Sequence, residues 1–98
     1  MIRPAAAADI PAIVDMARLF YATTSYSAWA DFNAETVAKL AETLAEHHVM
    51  LVAEVEGKVC GMVGLFVAPF MFNADRVGAY EVVWWVDPAA QGAGVGKA

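Results

Sequence analysis

The chain has 98 residues, a formal net charge of −5 and a hydrophobic fraction of 60%. That length allows one small domain, whose folding buries only about 60–65% of the unfolded chain's surface, and so apolar a composition excludes a disordered segment. The acidic balance argues against nucleic-acid binding, which wants a basic face, and no apolar run nears the ~20 residues of a membrane span.

Met1-Ile2-Arg3 reads as a short first strand stopped by Pro4. The four alanines that follow form a connector and not the apolar core of a signal peptide, since Asp9 arrives at once. Asp9 is placed to cap a helix with Pro11 in its first turn. Ile10, Ile13, Val14, Ala17 and Phe20 recur at helical spacing, which predicts a helix over about residues 9–21. The stretch from Tyr21 to Phe32 breaks the period and is rich in Thr, Ser and aromatic residues. Asn33 then caps a second helix with the apolar stripe Val37, Leu40, Ala41 and Leu44. His47 and His48 fall at its end; adjacent histidines point apart on a helix and no third ligand is spaced nearby, so a solvated helix end is expected and not a metal site.

From Val49 the period changes to two, and Glu56-Gly57 turns the chain into a second long strand, Lys58 to Ala68, ending at Pro69. Gly61 and Gly64 inside it suggest a bulge or a close backbone approach. Phe70 to Gly78 reads as a loop with a turn at Asn73-Ala74-Asp75, and Ala79 to Val86 as the third long strand. The order β-α-α-β-β-β, with antiparallel hairpin connections and no linker, predicts a single α+β domain. One cysteine, Cys60, leaves no internal disulfide and makes a reducing cytoplasm the expected setting.

The last strand runs into Asp87-Pro88-Ala89-Ala90-Gln91-Gly92-Ala93-Gly94-Val95-Gly96-Lys97. Glycines at alternate positions let backbone N–H groups point one way, and a helix starting there adds its dipole, which together make an anion site; a flexible terminus is the alternative reading of the same spacing. The dinucleotide fingerprint needs a βαβ context that is absent. The ATP-type loop needs a hydroxyl where Ala98 stands.

The segment from Val86 to Gly96 resembles the acetyl-CoA-binding motif of the GNAT family of N-acetyltransferases, Gln/Arg-x-x-Gly-x-Gly/Ala, with Gln91, Gly94 and Gly96 at its defining positions. The element order and the opening Ile2-Arg3-Pro4 resemble the same family, which implies a mixed, mainly antiparallel sheet. That resemblance implies acetyl-CoA as cofactor and an amine of a small molecule or peptide as acceptor. It implies that the amides of Gly92, Ala93, Gly94, Val95, Gly96 and Lys97 hold the pyrophosphate and that the strand end at Trp85 and Val86 pairs with the pantetheine arm. It implies Glu81, the carboxylate within the apolar strand, as general base; a solvent-facing glutamate on a half-exposed strand is the plainer reading. It places Tyr26, Trp29 and Phe32 along the acceptor pocket, where they also suit core or lid packing. Such enzymes continue with further helices and strands, so the chain reads as the N-terminal part of the fold, with its C-terminal half missing. An inactive remnant that pairs its bare strand edge with a partner chain, or a homo-oligomer covering that edge, is the alternative expectation.

Overall fold

The structure, a computed structural model, describes residues 1–88. Strand β1 (Ile2–Pro4) leads through a 3-10 turn (Ala7–Asp9) to helix α1 (Ile10–Ala22). A second 3-10 turn (Ser25–Ala28) precedes helix α2 (Ala34–His47), and strands β2 (Val49–Val55), β3 (Lys58–Phe70) and β4 (Asn73–Val86) follow. The four strands form one sheet in the order β1-β2-β3-β4 with every neighbouring pair antiparallel. The fold is α+β. Ile13, Met16 and Ala17 of α1 and Ala41 and Leu44 of α2 pack with Met50, Val52 and Met62 of the sheet to make the core. Among the described residues nothing covers the other face, where Ile2 and Trp84 are exposed. Among the described residues no helix is long and apolar enough to cross a membrane.

Asn33 caps α2 as its chemistry dictates, accepting from the Thr36 N–H at 3.0 Å. Asp9 behaves differently from the expected helix cap. Its carboxylate turns back, accepting from Arg3 at 2.7 and 3.0 Å and from the Ala6 N–H at 2.7 Å. Arg3 also donates to Glu54 at 3.0 Å, so this buried aspartate ties the start of α1 to β1 and β2. A guanidinium offers two parallel donors and holds a carboxylate more firmly than an N–H of the first turn does. Arg3's hydrogen bonds, with the Ala6 amide second, hold the Asp9 carboxyl below the ordinary aspartate value of 3.8.

The β2–β3 turn has positive φ at Glu56 and Gly57, as a tight hairpin requires. Both suspected glycines mark irregularities. Cys60 is extra beside Gly61, where the β2–β3 register shifts, and the β3–β4 register shifts just after Gly64. A Cβ on Gly64 would stand 2.9 Å from Leu44 Cδ1 and 3.2 Å from Val83 Cγ1, so glycine lets α2 sit down on the sheet.

The expected loop from Phe70 to Gly78 is instead a hairpin. Only Met71 and Phe72 turn, and β4 starts at Asn73, with Val77 paired to Pro69. Pro69 fits inside β3 because β2 ends its pairing at Leu65 and leaves that side open. The Asn73 turn survives inside the strand: its Oδ1 accepts from the Asp75 N–H at 3.0 Å. His48 also departs from a solvated helix end. It is half-buried, accepts from the Val67 N–H at 3.1 Å through Nδ1 and meets Phe66 edge-on at 5.0 Å.

Gly64→Ala is expected to lower unfolding free energy by about 1–3 kcal/mol, because Leu44 must leave its rotamer; urea titration checks this. Asp9→Asn is expected to lower the melting midpoint by several degrees at neutral pH. Because the folded pKa of Asp9 is depressed, its contribution is complete above the unfolded value and fades as pH falls through the folded one. The difference between parent and variant therefore shrinks below about pH 4, and a difference constant down to strong acid would contradict the pairing.

Candidate active site

One side chain organises the connection between the helices. The Tyr21 hydroxyl, in the last turn of α1, donates between the carbonyls of Tyr26, at 2.8 Å, and Ala30. Its ring packs against Phe32 with centroids 5.8 Å apart. Arg18, one turn earlier, lays its guanidinium over Phe32 at 4.7 Å. Thr23 and Thr24 turn their hydroxyls onto the carbonyls of Phe20 and Tyr21. The segment that broke the helical period is thus folded onto the end of α1.

Beneath it lies an apolar cavity of about 290 Å³ between the helices and the sheet. Phe20, Val37, Leu40 and Val83 supply carbon walls, and Tyr21, Asp31, Asn33 and Thr36 supply the polar groups. Of the three aromatics expected along an acceptor pocket, Phe32 lines this cavity. Tyr26 and Trp29, 66% and 86% exposed, lie on the outer surface of the connection.

Strand β4 passes along the same cavity. Gly64 pairs with Val83 and Leu65 with Glu81, so Val82 is an extra residue opposite no partner. The bulge lets Val82 and Val83 both line the cavity. Glu81, paired with Leu65, falls by alternation on the opposite face and is exposed. Valines and tryptophans do not enclose its carboxylate. Past the bulge, Asp87 donates its N–H to the Cys60 carbonyl at 2.7 Å, which fixes the phase of the ladder. In that phase Val83 and Trp85 exchange backbone bonds with β3, and Trp84 turns its N–H and C=O to the outer edge. The Trp85 ring stands edge-on to Phe20 at 6.1 Å. Its indole N–H is buried and meets no acceptor among the described residues.

Gln91, Gly92, Ala93, Gly94, Val95, Gly96 and Lys97 lie outside the described residues. Among the described residues no group of three His, Cys, Asp or Glu is placed to hold a metal ion. Cys60 is a buried free thiol.

The profile of the acetyltransferase (GNAT) family matches residues 12–98. The chain belongs to that family. Known structures repeat the GNAT architecture found here. A possible acetyltransferase from Clostridium difficile superposes with a TM-score of 0.80 at 15% identity, over 99% of this chain and 63% of that one. A ribosomal-protein-alanine N-acetyltransferase from Brucella melitensis gives 0.72 at 25% identity, over 99% and 60%. An aminoglycoside acetyltransferase from an uncultured soil metagenomic sample gives 0.66 at 25%, over 99% and 62%. The chain therefore spans about three fifths of the length of these structures. No curated protein sequence matches it significantly.

Tyr21, Asp31 and the Val82 bulge join the site without having been singled out from the sequence. Two carbonyls sharing one hydroxyl leave no pattern in residue order, and neither does an unpaired strand residue. Tyr21→Phe is expected to cost about 0.5–1.5 kcal/mol and to speed amide exchange across residues 26–30; unchanged exchange there would contradict the clamp.

Proposed function

We propose that the chain carries the cofactor strand and the acceptor cavity of an acetyl-CoA-dependent N-acetyltransferase acting on an amine. The observation that supports this most is β4 itself. Its bulge faces an apolar cavity, and just beyond the bulge Trp84 turns its backbone to the edge that pairs with no other described strand, a few residues before the glycine-rich motif. The residues present fit the cofactor: an edge strand can pair with an amide-bearing arm, and the unpaired Trp85 indole N–H is a donor awaiting an acceptor. The neighbours at 25% identity, named for ribosomal-protein alanine and for aminoglycosides, support an amine nitrogen as acceptor.

In this reading Trp84, Trp85 and Val86 hold the pantetheine arm, and the amides of Gly92 to Lys97, following Gln91, hold the pyrophosphate. Acetyl-CoA supplies a thioester whose acetyl group passes to nitrogen as the N–C bond forms, the C–S bond breaks and the sulfur leaves. An ammonium must shed one proton before it can attack, and Glu81 takes it. Because Glu81 is exposed and on the opposite face of the bulge, the proton travels through water. The nitrogen sheds a second proton as the amide forms, which balances the charge on the departing sulfur.

Calorimetric titration with acetyl-CoA is expected to give saturable binding; no heat at millimolar cofactor would leave only a structural role in an assembly. Glu81→Gln is expected to lower turnover about a hundredfold near neutral pH with cofactor affinity unchanged. Unaltered turnover would remove Glu81 as the base.

A further inference from the structure

The cavity beneath the Tyr21 connection has a chemical bias that acetyl transfer alone does not specify. Its walls are carbon, and its polar groups come from Tyr21, Asp31, Asn33 and Thr36. Most of these are already engaged. Asn33 accepts from Thr36, and the Tyr21 hydroxyl is held between two carbonyls. Among the described residues Asp31 is the one charged side chain lining the cavity. It takes part in none of the ion pairs found among the described residues, and it is exposed.

We propose that this cavity binds the acceptor, and that the acceptor is a small primary amine carrying one positive charge on an apolar body, such as an arylalkylamine. Asp31 holds the ammonium at the lip and the carbon walls take the body. This rests on the acetyltransferase reading and narrows it. A volume of about 290 Å³ falls at the small end of ligand pockets, which run from about 300 to 1,000 Å³. It suits one ring or a short alkyl chain. A hydroxylated sugar would bury most of its polar groups against walls that are mainly carbon. A polycation would meet a single carboxylate and the Arg18 guanidinium, which lies over Phe32 beside it. Val82 and Val83 stand in the same cavity wall, so an amine released from Asp31 faces the strand along which the thioester is proposed to lie.

The test is methyl NMR of the full chain titrated with 2-phenylethylamine in the absence of acetyl-CoA. Saturable shifts are expected at Val37, Leu40 and Val83, and Asp31→Asn is expected to weaken binding about tenfold. Because Asp31 is exposed, the substitution should leave the fold intact, which the dispersion of the same spectra verifies. Absent shifts at those methyls, or binding unaffected by Asp31→Asn, would overturn the proposal whether or not the chain transfers an acetyl group. Turnover with acetyl-CoA then separates the two ideas. Preferred acetylation of 2-phenylethylamine over 2-aminoethanol supports the acceptor class, and the reverse preference overturns it while sparing acetyl transfer.

Discussion

One unpaired residue, Val82, divides the longest strand of the sheet into two halves with different duties. Upstream, β4 pairs with β3 as a projecting hairpin whose turn residues Met71 and Phe72 are 75% and 84% exposed. Downstream, it is held in the core through Val83 and Trp85. Inserting one residue shifts the alternation, so Glu81 and Val83 end on opposite faces although they are two apart. The same shift lets two successive valines close the cavity.

The bulge only works because the helices are held where they are. Gly64 lets Leu44 press α2 onto the strand opposite Val83. Tyr21 folds residues 26–30 back over the end of α1 and thereby carries Asp31 and Phe32 to the cavity. At the far side, the Arg3–Asp9–Glu54 pairs fix the start of α1 against the first two strands. The Tyr21 hydroxyl and the Arg3–Asp9–Glu54 pairs are directional contacts where apolar packing alone would leave the position soft. A chain of this size has little apolar surface to spare for positional precision.

Much of this order was legible in the residues. The two helical stripes, the cap at Asn33, the Glu56-Gly57 turn and the strand starts at Val49 and Lys58 follow from local periodicity and turn chemistry. Gly61 and Gly64 announced irregular pairing because strand glycines have few other uses. The misreadings have a common cause. Pro69 and the Asn73 turn looked like the limits of a loop, yet a hairpin with an open side tolerates both. Asp9 has the chemistry of a helix cap, yet its carboxylate turns back to the Arg3 guanidinium and the Ala6 amide. His48 is drawn from the solvated end of α2 by an amide nineteen residues away. Local signals name what a residue can do, and partners remote in sequence decide what it does. Phe32, expected along an acceptor pocket, lines the cavity, whereas Tyr26 and Trp29 face outward on the connection that the Tyr21 hydroxyl holds, which could not be read from their types.

The central claim is that the edge of β4 just beyond the bulge is where the cofactor lies. Heteronuclear NMR of the backbone amides and tryptophan indoles, recorded with and without acetyl-CoA, addresses it directly. The account predicts that the Trp84 amide and the Trp85 indole N–H shift and become protected from exchange on binding, while the Trp85 amide, already bonded to β3, changes little. Acetyl-CoA binding that leaves the Trp84 amide and the Trp85 indole unmoved would contradict it.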